Sequence, residues 1–151
     1  MNAQHIDLYN GSSWRAVSVP SYLDFPNWVT AFSSTSVWAD ARQDETFDPE
    51  LGHWNGKSWT QVITDAPADS FLTDIAGDGA GGLNVLDYER DTGQEYVLHM
   101  SSAGSWTRTA IGGGQIESLA RVAGTTSVWG AGVLISPYGN DAGIWADGAL
   151  P

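Results

Sequence analysis

The chain has 151 residues, of which 18 are glycine and 8 tryptophan, with no cysteine and a formal net charge of −12 from 18 acidic and 6 basic side chains. Disulfides and thiolate metal sites are therefore excluded, and singly scattered basic residues in an acidic chain argue against nucleic acid and anionic membrane as partners, leaving a neutral ligand or a protein. No apolar run approaches the ~20 residues that span a bilayer, and Met1 to His5 lack the parts of a signal peptide, so the expectation is a soluble chain, either cytoplasmic or part of an exported protein.

Glycine and tryptophan favour short strands and turns over helices. In chain order, Gln4 to Tyr9 and Ser13 to Val19 are predicted as a strand pair around Asn10-Gly11, a strong hairpin signal. A four-stranded unit follows at about 26–64, containing Val37-Trp38, an acidic loop from Gln43 to Glu50, and the string His53-Trp54-Asn55-Gly56-Lys57-Ser58-Trp59. The next unit, 71–111, is the most legible: strands at Phe71 to Ala76, Leu83 to Tyr88, Glu95 to Met100 and Ser105 to Ile111, with glycine-rich or polar turns between them. The last, 115–151, offers strands at Glu117 to Val122, Val128 to Ile135 and Gly143 to Ala146, and the sequence stops where a fourth strand is due.

Three markers share a period. Trp14, Trp59 and Trp106 are 45 and 47 residues apart, Tyr9, Trp54, Met100 and Trp145 are 45, 46 and 45 apart, and Trp38, Asn84 and Trp129 are 46 and 45 apart. Four antiparallel strands per ~45 residues is the plan of one β-propeller blade. The unit "SVWADA…GHWNGKSWTQV" resembles the kelch-type blade and the tryptophan-rich repeats of bacterial propeller proteins. The resemblance implies an all-β fold of about three blades, with 4–19 as orphan outer strands. Closed propellers need at least about four blades. The chain is therefore expected to be part of a longer propeller or to form a homodimer, a six-bladed ring completed by strand exchange between chain ends. The hairpin is also similar to that of the small fucose-binding propeller lectins. Their sugar-gripping arginine and glutamate are not matched here, where Trp38 and Leu51, or Asn84 and Val97, stand instead.

A residue recurring at one period position serves the architecture, and one that breaks the pattern is available for a local task. On that basis most tryptophans are predicted as wedges between blades. Trp28 has no counterpart, since Asp74 and Leu119 occupy its position. The innermost strand of each unit therefore supplies the candidate ligand site: Trp28, Asp74 and Arg121, with Asn27, Thr73 and Ser118 beside them. A ring face, a carboxylate and a guanidinium suit a sugar or another polyhydroxy ligand, although Asp74 and Arg121 equally suit each other. His53 and His99 share a position in separate units and are read as strand residues, so no metal site and no cofactor are expected. The loop acids Asp44, Glu45, Asp48 and Glu50 follow no calcium motif. The favoured reading is a non-catalytic, lectin-like propeller binding module. The alternatives are a propeller hydrolase, lyase or cyclase using Asp74 for acid–base work and Arg121 for charge stabilisation, or a structural fragment.

Overall fold

Short segments bounded by glycine and asparagine turns pair with their nearest neighbours in sequence, and that rule accounts for every sheet seen. The computed structural model describes residues 5–42, 48–136 and 138–146. Among the described residues every regular element is a strand: β1 (His5–Tyr9), β2 (Trp14–Ser18), β3 (Val29–Ser33), β4 (Ser36–Arg42), β5 (Pro49–Trp54), β6 (Trp59–Val62), β7 (Ser70–Gly77), β8 (Leu83–Glu89), β9 (Gln94–Met100), β10 (Trp106–Ala110), β11 (Gly114–Arg121), β12 (Val128–Ser136) and β13 (Gly139–Ala146). Most of the acidic loop expected after β4, and everything after Ala146, lie outside the described residues. No helix among the described residues is long and apolar enough to cross a membrane.

The all-β expectation holds, whereas the propeller does not. Hydrogen bonding gathers the strands into four separate antiparallel sheets of two, four, four and three strands, and none closes into a barrel or a ring. The kelch-type blade, the partial propeller and the six-bladed ring completed by a second copy are corrected accordingly. The physical reason is one of range. Turn chemistry specifies which neighbouring segments pair, while ring closure depends on packing between distant sheets, which no hairpin motif encodes.

The strands fall into two compact units, Met1–Ile63 and Thr64–Pro151. In the first, β1 and β2 form a hairpin, and β3 to β6 form a meander in sequence order. Both Asn-Gly hairpins are four-residue loops closed by the asparagine side chain. The Asn10 Oδ1 accepts from the amides of Ser12 and Ser13, each at 3.0 Å, and the Asn55 Oδ1 accepts from Lys57 and Ser58 at 3.0 and 3.1 Å. Gly11 and Gly56 take φ of 97° and 95°, a left-handed conformation that glycine adopts without steric cost. Leu23, Ala39 and Ala41 are buried with Ile6, Val19, Tyr22 and Trp59 against them. A Cβ at Gly52 would stand 2.6 Å from the Leu23 Cδ1, so a larger residue there would force the Leu23 side chain to move. Trp14, expected as a buried wedge, is 70% exposed and touches Tyr9 in a tilted ring contact at 5.1 Å.

In the second unit β7 to β10 form a meander, and β11 to β13 form another. The central strand β8 buries Leu83 and Val85 on one face and Asn84 and Leu86 on the other, which is why it reads as a nearly continuous apolar run. Two bulges face the junction between the sheets, one between Leu72 and Asp74 and one between Ile116 and Ser118. Bulges re-aim side chains, and here the Asp74 Oδ2 accepts the Leu119 amide at 2.6 Å. A second tie is made by Glu95, whose Oε2 accepts the Ile116 amide at 2.5 Å and whose carbonyl accepts the Ile111 amide at 2.9 Å. Leu86, Ile111 and Ile116 form the apolar floor, with Val97, Leu119 and Trp145 packed against it.

These ties make Asp74 structurally consequential. Asp74→Ala strands the Leu119 amide and is expected to cost about 1–3 kcal/mol, read as a lower urea midpoint. Thr73→Ala, at an exposed bulge position, is expected to change stability by no more than about 0.5 kcal/mol.

Candidate functional site

The six residues singled out from the sequence are divided between the two units. Asn27 and Trp28 lie just before β3, where both attach to Asp40, a carboxylate only 1% exposed. The Asp40 Oδ1 accepts the Trp28 amide at 2.9 Å, and the Oδ2 accepts from the Asn27 Nδ2 at 3.2 Å. Thr73, Asp74, Ser118 and Arg121 belong to the second unit, on β7 and β11. There Asp74 holds the Leu119 amide and the Ile75 amide, and the Arg121 Nη1 donates to the Thr125 carbonyl at 3.1 Å. Asp40 and Asp74 thus organise backbone around the strand junctions.

A cavity lies elsewhere, among the described residues of the second unit. Of the strand pairs that cross between its two sheets, β7 and β11 approach most closely, and the remaining strands leave an open cleft of about 650 Å³. Its walls come from β8, β9 and β10 on one side and from β11, β12 and β13 on the other. Alternation along the strands decides what enters it. Asn84 on β8, Val97 and His99 on β9, and Thr107 and Thr109 on β10 are cross-strand neighbours pointing to one face. Ile116, Leu119, Val128 and Trp145 face them from the other sheet.

At one end of the cleft stands an ordered carboxylate–imidazole pair. The turn between β7 and β8 wraps the Asp78 carboxylate: the Oδ1 accepts the Ala80 and Gly82 amides at 2.7 and 2.8 Å, and the Oδ2 lies 3.1 Å from the His99 Nε2. A Cβ at Gly82 would overlap the Met100 carbonyl and come within 2.6 Å of the Asp78 Oδ2, so the turn requires glycine. Burial pushes the Asp78 carboxyl up, but the donations from Ala80, His99 and Gly82 outweigh it and hold the group below its ordinary value of 3.8. An ionised carboxylate only accepts. The His99 Nε2 therefore carries the hydrogen, and in the neutral ring its Nδ1 is an acceptor.

Two carboxylates outside the cleft shift the other way. Burial raises Asp87, which the Ser70 hydroxyl and the Arg108 guanidinium at 3.1 Å only partly offset and the Glu89 charge adds to. Burial raises Glu95 too, with the Ile116 amide opposing and the Glu117 charge adding to the rise. Arg108 also stacks over Tyr96, 3.3 Å from its ring centroid. No group of three or more histidine, aspartate or glutamate side chains that could hold a metal ion occurs among the described residues.

Asp78, Asn84, His99, Thr109 and Trp145 were not among the sequence candidates for ligand contact. One signal was present. The period position that carries Trp38 and Trp129 carries Asn84 in the middle unit, and the departure marks the cleft.

No protein-family model, curated protein or solved structure matches this chain, so its likeness to kelch-type repeats stops at the short strings that suggested it.

The two kinds of carboxyl shift predict opposite pH effects. A carboxyl held low in the fold adds stability above its unfolded value and loses it as pH falls through the folded value. Asp78→Asn is therefore expected to flatten the loss of stability below about pH 4. Glu95, held high, stabilises fully below its ordinary value of 4.5 and less as pH rises through its folded value. Glu95→Gln keeps an oxygen for the Ile116 amide and is expected to match the wild type at pH 3.5 and exceed it at pH 7, in urea titrations across this range.

Proposed function

We propose that this protein is an all-β ligand-binding domain whose site is the cleft between the two sheets of the second unit. One observation carries the reading: the cleft combines an apolar floor with a few fixed polar groups, in a volume typical of small-molecule sites, roughly 300–1,000 Å³. Ile111, Ile116 and Val97 offer area to an apolar body, while Asn84, Thr107 and Thr109 offer hydrogen bonds at defined places. The Asp78–His99 pair is locked by two backbone amides, so it presents a rigid surface and orients what lies against it.

The charge pattern narrows the ligand. Asp78 is ionised at the cleft, and the chain as a whole is strongly acidic, so a neutral or weakly basic molecule is admitted and a phosphorylated one is opposed. This replaces the propeller-type, lectin-like module and the propeller enzyme expected from the sequence, since the described sheets build no propeller.

The test is a fragment screen of neutral compounds read by amide chemical shifts of the whole chain. Saturable shifts are expected at Asn84, His99, Thr109 and Gly130. Thr109→Arg, which blocks the exposed side of the cleft, is expected to weaken the hits at least about tenfold, or ~1.4 kcal/mol, without lowering the melting temperature. Hits that map only outside the cleft overturn the reading.

A further inference from the structure

The two four-stranded sheets share a cross-strand register. In the first, Trp38, His53 and Thr60 stand directly opposite one another on β4, β5 and β6. In the second, Asn84, His99 and Thr107 occupy the same places on β8, β9 and β10. The histidine and the threonine are common to both rows, and the indole is present in one only.

In the first row that indole has a definite task. Trp38 lies on the His53 imidazole with ring centroids 4.3 Å apart and planes 21° from parallel, and it is only 6% exposed. In the second row the short amide of Asn84 faces His99. The His99 side chain is 40% exposed, and the space beside it is part of the cleft. The sheet thus keeps the histidine that a ring stacks upon and omits the ring.

We infer that the cleft takes a flat, neutral heteroaromatic molecule, which stacks on His99 in the place that Trp38 fills against His53. This rests on the cleft being the binding site. The histidine face is fixed for the purpose: its Nε2 is held by Asp78, whose other oxygen is held by the turn amides. Aromatic faces prefer offset stacking at such distances, and a pre-oriented ring loses little freedom when covered. Trp145 supplies a second rigid aromatic wall. Its ring lies over Gly114, where a Cβ would stand 2.7 Å from the Cζ2, and crowds the Cβ position of Gly143 as well. At the ring's edge the Asn84 amide both donates and accepts, and the Thr107 and Thr109 hydroxyls do the same, so a heteroatom in the plane is satisfied where a plain hydrocarbon is not.

Indole is the probe, with octahydroindol-2-one, a saturated neutral lactam on the same bicyclic skeleton, as the non-aromatic control, each titrated against the full chain and followed by amide and side-chain chemical shifts. Indole is expected to shift the His99 ring protons upfield and to bind at least about tenfold more tightly than the control. Asn84→Trp, which restores the first row's arrangement, is expected to abolish indole binding while leaving the melting temperature equal or higher. His99→Leu, which keeps the volume without the imidazole, is expected to weaken indole at least about fivefold. Should Asn84→Trp not fold, His99→Leu and the indole-to-control ratio decide the matter. Equal binding of indole and the control, or unchanged indole binding in either folded variant, overturns the stacking inference while leaving the cleft as a site. Absence of any cleft shift with indole, when other neutral fragments do shift it, overturns the ligand class alone; absence with every fragment overturns both.

Discussion

Two carboxylates, the half-buried Asp74 and the buried Glu95, give the second unit its form. Asp74 on β7 and Glu95 on β9 of one sheet each accept a backbone amide of β11, at Leu119 and Ile116. A strand whose amides are claimed in this way resists sliding, because a slip would break both bonds and leave the buried Glu95 and Ile116 groups unpaired. The three-stranded sheet is thereby fixed against the four-stranded one along a single line. The strands beyond that line stand apart, and the cleft is what they leave.

The electrostatics follow the same division of labour. Glu95 and Asp87 are buried enough that the charged form is disfavoured, and they hold structure at some cost to neutral-pH stability. Asp78 is also nearly buried, but three donors converge on it, so it keeps its charge at the cleft. Burial alone does not decide ionisation. The balance between burial and the donors and charges around each carboxylate does.

Much of the strand pattern was legible locally. The strands expected at Phe71 to Ala76, Leu83 to Tyr88 and Glu95 to Met100 overlap β7, β8 and β9 throughout, because alternation and turn residues act within a few positions of each other. The same locality misled at the next level. Trp14, Trp59 and Trp106 recur at a regular spacing, yet Trp14 is largely exposed while Trp59 packs on the first unit's core. A shared position in a sequence period does not fix a shared environment. Asp74 is a non-repeating polar residue, and its partner is the backbone amide of Leu119, the residue at the same period position 45 residues on; the period aligns the two positions, but the side chain at 119 carries no sign of the bond because the donor is backbone.

By itself the sequence determined an all-β chain, the hairpins at Asn10-Gly11 and Asn55-Gly56, and a strongly acidic net charge, because turn preference, strand periodicity and net charge are properties of short segments or of the whole composition. Only the tertiary structure decided that the sheets do not close into a ring and that Asp74 and Glu95 bind β11. It alone brought Asn84, His99 and Trp145 to one cleft. Those facts depend on which faces of distant strands meet, and that choice is made by packing and by the satisfaction of buried polar groups over the whole unit.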